Sequence, residues 1–187
     1  MDGAVRIAIF GLHEGTQESY RAEDWDQVWR MAHDPQAATA NRVFEAHSEP
    51  IARKYGGDSY IDRLNGFAED GLLWTLWLYP GMEICYHYPA HPDLLPVMPP
   101  QSSVAYMMHW AIPFAGPSGA IGLFGIDMAA GEEYGYQAPN MMYLIGIAQA
   151  KGRAVHIDPA SSLPKSSWTG GIYGHPDNID DMDYRLL

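Results

Sequence analysis

The sequence is poor in cysteine and in long apolar runs, and each shortage excludes a class of protein. Cys85 is the only cysteine among 187 residues, which excludes an internal disulfide and a zinc site built mainly from thiolates. We expect Cys85, in the run MEICYHYP, to be a small core residue rather than a nucleophile. No run approaches the roughly 20 apolar residues of a membrane span. The start, MDGAVRIAIFG, lacks the basic region of a secretory signal, so we expect a cytoplasmic protein with no membrane partner.

Basic residues are also scarce. Lys and Arg number 11 against 23 Asp and Glu, which gives a formal net charge of -12. Nucleic-acid affinity depends on neutralising phosphates with basic side chains, so a nucleic-acid partner is not expected. With 47% hydrophobic and 12% aromatic residues the chain is globular, and its length suits one domain. We assign residues 1–160 to that domain and residues 161–187, rich in Ser, Gly and Asp, to a surface tail of it.

Apolar runs that suit buried strands alternate with helical patterns along the chain. Five runs are predicted to be strands: VRIAIFG, QVWRMAH, NRVFEAHSE, GLLWTLWLYPG and AIGLFGIDM, with RAVHIDP as a sixth and last strand. Helices are predicted at SYIDRLNGF, SSVAYMMHWAIPFAG and NMMYLIGIAQAKG. Apolar strands alternating with helices indicate a largely parallel sheet covered on both faces. The predicted fold is therefore α/β, a single Rossmann-like three-layer domain with a mostly parallel sheet.

Three further expectations follow from local patterns. Residues 86–100 contain five prolines and are predicted to form an irregular loop. Ser102 or Ser103 is predicted to cap the long helix, which Pro113 should end or kink. The polar run EEYGYQ is predicted to be a loop. Trp74, Trp77 and Trp110 are predicted to lie in the core, and His109 in the core or in an interface.

Polar residues at the predicted strand ends are candidates for a site, because ligands bind outside the carboxyl ends of parallel strands. They are Gly11 to Thr16, His33 and Asp34, Glu45, His47 and Ser48, and Asp127, together with Ser102 and Ser103 at the start of the long helix. Asp127 stands out because a carboxylate after an apolar strand needs partners.

The loop GLHEGT has two interpretations that the sequence leaves open. Its glycines, Gly11 and Gly15, and Thr16 permit a close approach of the backbone to a phosphate. It matches neither the dinucleotide fingerprint nor the P-loop, which needs a Lys, and a plain turn explains it as well. His13 and Glu14 within it suit a sugar or a base better than an anion.

The eight histidines form no metal signature. His87 and His91 are four apart, but prolines argue against a helix that would direct both at one ion. His33, His47 and a carboxylate at adjacent strand ends are a conceivable set, yet no metal site is predicted. Acyl-transfer and dehydrogenase motifs are also absent from the sequence.

The stretch SSVAYMMHWAI, followed by AIGLFGID, resembles a motif of the bacterial sialyltransferase family that uses CMP-sialic acid. The family motif reads Ser-Ser-Gly-x-Tyr-Met, then Ala-Ile, then Ile-x-Leu-x-Gly-Ile-Asp. Downstream, EEYGYQAPNMMYLIGIAQAKGRAVHIDPASSL is similar to small phage-encoded proteins related to that fold. The resemblance covers residues 101–174 and the first strand in outline.

The resemblance implies a nucleotide or nucleotide-sugar at the strand ends. It implies that the first loop and the Ser-Ser helix start hold the nucleotide, which places Gly11, His13, Gly15, Thr16, Ser102 and Ser103 on it. Asp127 would lie close to the donor, and Tyr134 and Tyr136 would assist the departing phosphate. The family's general-base histidine lies in a lid that contains no His here before His156. His33, His47 and His13 are therefore the candidates for the base, since histidine titrates near neutral pH.

The expected function is a nucleotide-dependent transferase of glycosyltransferase type, phage-encoded or bacterial, that uses a nucleotide-sugar and no metal cofactor. One alternative is a nucleotide or pterin pyrophosphokinase-like enzyme with Mg²⁺ at Asp127 and either Glu45 or Glu133. Another is a non-catalytic module that binds a nucleotide or a host protein. Abundant Trp and Met predict a homo-oligomer. The donor, the acceptor and the oligomeric state stay undefined by the sequence.

Overall fold

A computed structural model describes residues 3–82, 86–87, 100–128 and 132–163. The strands in this part of the chain are β1 Arg6–Phe10, β2 Gln27–Met31, β3 Arg42–Glu45, β4 Leu73–Thr75, β5 Tyr86–His87, β6 Ala120–Phe124 and β7 Ala154–Ile157. The α-helices are α1 Glu49–Glu69, α2 Ser103–Phe114 and α3 Glu132–Ala150.

The strands form one sheet of seven strands in the order β5-β4-β3-β2-β1-β6-β7. Every neighbouring pair is parallel. The predicted fold class is confirmed: the chain is α/β, with helices on both faces of a parallel sheet in the Rossmann-like manner. None of the helices in the described ranges combines the length and the apolar composition needed to cross a bilayer.

Alternate side chains of each strand point to opposite faces of the sheet, and this divides the core in two. On one face Ile7, Ile9, Trp29, Ile121 and Leu123 pack with the buried sides of α2 and α3. On the other face α1 covers Val43 and Leu73. Farther along that face, Tyr20 and Trp25 of the β1–β2 connection cover Phe10 and Phe124. Both faces of the central strands are therefore buried, which explains their continuous apolar sequence.

Helix bounds largely follow the local signals. Ser102 caps α2 and Pro113 lies one residue before its end, as predicted. The helical face of α1 that carries Ile61, Leu64 and Phe67 is buried. Gly57, with φ 67°, interrupts α1 with a kink, which a residue without a Cβ adopts at little cost.

Several expectations were wrong in detail. The run EEYGYQ is not a loop, because α3 begins at Glu132. Gln137, Ala138 and Met141 are buried. Their packing extends the helix toward its amino end, into the polar run whose sequence suggests a turn. The fourth predicted strand shrinks to three residues, and Trp77 beyond it is 53% exposed rather than in the core.

Two other regions were predicted only in part. Tyr86 and His87, predicted as loop, pair with Trp74 and Thr75 as a short edge strand. Cys85 and most of the proline-rich segment lie outside the described residues. The tail does not begin at the surface, because Ser161 and Leu163 are buried. Residues 164–187 are outside the described part of the chain.

Candidate functional site

The candidate site is a cavity of about 710 Å³ at the carboxyl edge of the sheet, a volume typical of small-molecule sites. The strand order changes direction between β1 and β6, and ligands of parallel α/β sheets bind at such a crevice. The cavity lies there and is bounded by four strand ends and the starts of α2 and α3. Its lining residues are Gly11, Leu12, His13, Met31, His33, Ala46, His47, Pro100, Gln101, Ser102, Ser103, Val104, Tyr106, Gly125, Ile126, Asp127, Met128 and Gln137.

The chains leaving β1 and β6 touch through glycine. The Gly11 N–H donates to the Phe124 carbonyl at 2.8 Å, and the His13 N–H donates to the Gly125 carbonyl at 2.9 Å. A Cβ on Gly125 would lie 2.6 Å from the Gly11 carbonyl oxygen, too close for any side chain. These contacts prolong the strand pairing, and they use two of the amides that a phosphate cradle would need.

Only part of the loop over residues 11–16, which the sequence left open as a phosphate cradle or a plain turn, borders the cavity. Gly11, Leu12 and His13 line the cavity, but Gly15 is exposed and does not line it. Glu14 to Thr16 form a short 3-10 helix, and the side chain of Thr16 lies outside the described part. The local reason is that Gly11 and His13 donate hydrogen bonds to the carbonyls of Phe124 and Gly125. After His13 the loop turns away from the cavity.

Asp127 lies on the cavity wall beside His13. Its Oδ2 is 3.6 Å from His13 Nε2, and its side chain is 27% exposed. Its Oδ1 accepts a hydrogen bond from the Ser162 hydroxyl, and the Ser162 oxygen accepts the Met128 N–H at 3.2 Å. The carboxylate thus has partners on one side and faces the cavity on the other, where it can meet a ligand.

A second polar group lies at the end of β3. His47 lines the cavity, and both its backbone N–H and its ring Nδ1 are 2.7 Å from Glu45 Oε1. The other oxygen of Glu45 accepts a hydrogen bond from the Tyr60 hydroxyl. Glu45 itself is 3% exposed and does not line the cavity. The arrangement connects a buried carboxylate to a ring that is open to the ligand space.

His33, after β2, lines the same wall of the cavity. Desolvation by the surrounding protein lowers the pKa of His33, and the charge of Glu45 opposes this only in part. His33 is nevertheless an exposed residue, and it borders the open space of the cavity. His33 is therefore one of the candidates for a proton acceptor in the cavity.

The start of α2 forms another part of the cavity wall. Ser102 has extended backbone angles, and its Oγ accepts the Ala105 N–H at 3.1 Å. Ser103 and Val104 also line the cavity, and the first amides of a helix have no intrahelical acceptor. The positive end of the α2 dipole therefore faces the ligand space, which favours an anionic group there.

Most of the predicted site residues meet in this cavity. Those that line it are Gly11, His13, His33, His47, Ser102, Ser103 and Asp127. Gly15 does not. Tyr134 and Tyr136 fall in the first turns of α3, but their side chains lie outside the described part.

Sequence reasoning missed several contributors. Tyr106 and Gln137 line the cavity from α2 and α3, while Ser162 and Tyr60 hold the carboxylates. Ser162 follows the last strand, so the strand-end rule applied to RAVHIDPASSL would have included it. Nothing local distinguishes Tyr60 from the other residues of its helix.

The charges of the described lining are few. Asp127 is the one acidic residue among these lining residues, and neither Lys nor Arg is among them. Three histidines and the start of α2 supply the remaining electrostatic character. No three His, Cys, Asp or Glu side chains in the described ranges are grouped for a metal ion. Glu45, which with Glu133 is one of two candidates to join Asp127 in binding Mg²⁺, lies in hydrogen-bond contact with Tyr60 and His47.

Comparisons with known proteins provide no assignment. No protein-family model matches the chain, no curated protein is significantly similar to it, and no solved structure matches it significantly.

Proposed function

We propose that this chain is a nucleotide-dependent transferase of glycosyltransferase type that uses a nucleotide-sugar donor. The observation that carries the proposal is the position of the cavity. It lies at the β1/β6 crevice and combines the amino end of α2 with Asp127. The sialyltransferase-like motifs Ser102-Ser103 and Gly125-Ile126-Asp127 are far apart in sequence and border the same space, which supports a shared donor site.

The donor phosphate is proposed to bind at the start of α2, where free amides and the helix dipole favour an anion. Gly11 and Gly125 line the same space and let the two loops that carry them approach each other closely. Asp127 is proposed to contact the donor, and Tyr134 or Tyr136 to donate a hydrogen bond to the departing phosphate. The roles of Asp127 and the tyrosines rest on the resemblance.

The transfer itself requires a base. As the acceptor oxygen bonds to the anomeric carbon of the sugar, the bond from that carbon to the phosphate oxygen breaks, and the nucleotide leaves with the electron pair. The acceptor proton passes to a histidine, for which His13, His33 and His47 are on the cavity wall. General-base catalysis of this kind contributes typically 10²–10⁴-fold.

The wider setting is part of the same proposal. We infer a cytoplasmic enzyme, in a bacterium or a phage-infected host, that forms a homo-oligomer. Exposed Trp77 and Leu78 support the association, because aromatic residues are enriched in interfaces.

The test is a thermal-shift screen against CMP-, UDP- and GDP-linked sugars and the free nucleotides, with and without Mg²⁺. A ligand at 100 times its Kd stabilises by about 2.7 kcal/mol, which corresponds to a shift of roughly 5–10 °C for a domain of this size. We expect at least one nucleotide-sugar to stabilise the wild type without metal, and Asp127→Ala to weaken the effect. Asp62→Ala, which removes an exposed carboxylate of α1, is the matched control.

A nucleotide-binding module without turnover is the second candidate. The observation that favours it is that the Gly11 and His13 N–H groups already donate to the Phe124 and Gly125 carbonyls. These two amides are therefore not available to hold the phosphate of a donor during transfer. Stoichiometric binding with no release of free nucleotide would favour the module. A screen in which no nucleotide or nucleotide-sugar binds would overturn both candidates.

A further inference from the structure

The buried carboxylate of Glu45 is held by three hydrogen-bond contacts at the end of β3. The His47 backbone N–H and the His47 ring Nδ1 are each 2.7 Å from Oε1, and the Tyr60 hydroxyl donates to Oε2. The Glu45 side chain is 1% exposed, whereas that of His47 is 46% exposed. One end of this chain of groups is therefore fixed in the protein and the other is open to the cavity.

The arrangement favours one of the two ring nitrogens of His47 as the site of the proton. A backbone N–H can only donate, so Glu45 Oε1 is an acceptor toward residue 47. When the same oxygen accepts from Nδ1 as well, the proton of the neutral ring is on Nδ1 and the lone pair is on Nε2. A histidine whose Nδ1–H is held by a carboxylate presents Nε2 as a base.

Glu45, His47 and Tyr60 form one hydrogen-bonded array, and Tyr60 stabilises its carboxylate end. Desolvation and the hydrogen bond to Glu45 both raise the pKa of Tyr60 well above its usual range. Its hydroxyl therefore stays protonated and continues to donate to Glu45 at all working pH values. Tyr60 belongs to α1 and its ring is packed against the core, so the helix holds the carboxylate in one orientation.

The other two cavity histidines have different surroundings. His13 Nε2 is 3.6 Å from Asp127, which is longer than a hydrogen bond, and its side chain is 54% exposed. His33 is influenced by Glu45, His47, Asp34 and Arg63 through charge alone. Among the three, only His47 shows a hydrogen bond to a buried carboxylate in the described part of the chain.

We propose that His47 is the general base of the cavity, and that Glu45 and Tyr60 are positioning residues that hold it in the Nδ1–H tautomer with Nε2 toward the ligand. The catalytic role of His47 rests on the proposed function. The tautomer does not, because it is a property of the free protein. Glu45 and Tyr60 act through His47 and need not touch the substrate.

The experiment is a long-range proton–nitrogen correlation spectrum of the ¹⁵N-labelled full chain at a pH of about 8.5, where imidazoles are neutral. His47→Gln identifies the His47 signals by their loss. In the wild type we expect a protonated-type resonance for Nδ1 and an unprotonated-type resonance for Nε2. A wild-type ring with the proton mainly on Nε2 overturns the proposal, and this reading needs no variant and no ligand.

Variants then test the two positioning residues. Glu45→Gln keeps the size but replaces the charge with an amide, and Tyr60→Phe removes only the hydroxyl. Each is expected to shift His47 toward a mixture of tautomers, while Glu69→Gln and Tyr55→Phe, both on the exposed side of α1, leave the spectrum unchanged. Unchanged His47 signals in a folded Glu45→Gln variant overturn the role of Glu45. Unchanged signals in Tyr60→Phe overturn the role of Tyr60.

A second readout separates this proposal from the proposed function. If the wild type shows the Nδ1–H tautomer but binds no nucleotide, the positioning array stands and the transferase proposal fails. If a nucleotide-sugar binds and is turned over but His47 has the other tautomer, the transferase stands and the array fails. With turnover, Glu45→Gln is expected to lower kcat rather than raise KM, because the array acts on proton transfer rather than on binding.

Discussion

Two glycines at the carboxyl ends of adjacent strands shape the cavity at the scale of single residues. Gly125 has φ 65°, a region that side chains other than glycine disfavour, and Gly11 lies against its carbonyl. The close approach permits the hydrogen bonds that join the two loops beneath the cavity. Glycine is thus required at Gly11 because a Cβ would collide with the other loop. At Gly125 it is required for that reason and also because of the positive φ.

Replacing Gly11 with alanine is expected to destabilise the protein by about 1–3 kcal/mol, as overpacking does, because the new Cβ would collide with the Gly125 backbone. The matched control is Gly66→Ala in α1, where a Cβ meets nothing. That change is expected to stabilise by about 0.5–1 kcal/mol through helix propensity. Urea unfolding measures both. Equal midpoints for Gly11→Ala and the wild type would show that the two loops are not in close contact.

At the scale of elements, α2 connects stability to the site, since its first turn is part of the cavity wall. The sequence SS allowed either serine to be the cap. Ser102 takes the role because it has φ -150° and ψ 162°, while Ser103 is already helical. The choice depends on where the preceding chain enters, which local sequence does not define.

Ser102→Ala should therefore cost about 1 kcal/mol of folding free energy, the usual loss on removing an N-cap. Ser103→Ala should change it by less than about 0.5 kcal/mol, as expected away from such features. Chemical denaturation of the two variants side by side tests this. A larger loss at Ser103 than at Ser102 would mean that the cap is one residue later.

At the scale of the whole molecule, buried histidine couples folding to pH. His109 in α2 is 2% exposed, and its desolvation lowers the pKa of the ring. In the pH range below about 6.5 the unfolded chain therefore binds a proton that the folded chain does not. Stability from this group is complete above that pH and falls as the pH decreases toward the folded pKa. The lowered pKa of His33 acts in the same direction.

The variant His109→Leu is expected to lose less stability than the wild type between pH 8 and pH 5.5. The difference is at most about 1.4 kcal/mol per pH unit below 6.5, the linkage of one proton. Denaturant titrations of both proteins across this range measure it. The comparison at pH 8 isolates the packing change, and the decrease in net charge toward the pI of about 4.8 is common to both. Parallel stability curves would contradict a lowered pKa at His109.

Folding at this scale also explains which predictions from sequence failed. Trp77 has the large apolar side chain typical of a core residue. Its indole N–H nevertheless donates to the Ala46 carbonyl at 3.0 Å, and its ring remains exposed. The run before Asn140 is polar, yet tertiary packing of Gln137 and Ala138 makes it helical. In both cases long-range contacts decided the outcome against the local pattern.

The sequence by itself determined the type and order of the main elements, because apolar periodicity, Ser caps and Pro stops act over only a few residues. It also indicated the polar strand ends, since parallel strands place their carboxyl ends on one edge. The tertiary structure alone decided that β1 adjoins β6 and that the loop carrying Gly11 is hydrogen-bonded to the end of β6. It also decided that Glu45, His47 and Tyr60 meet. Strand order and side-chain contacts depend on which distant segments pack together, and a local pattern does not encode that pairing.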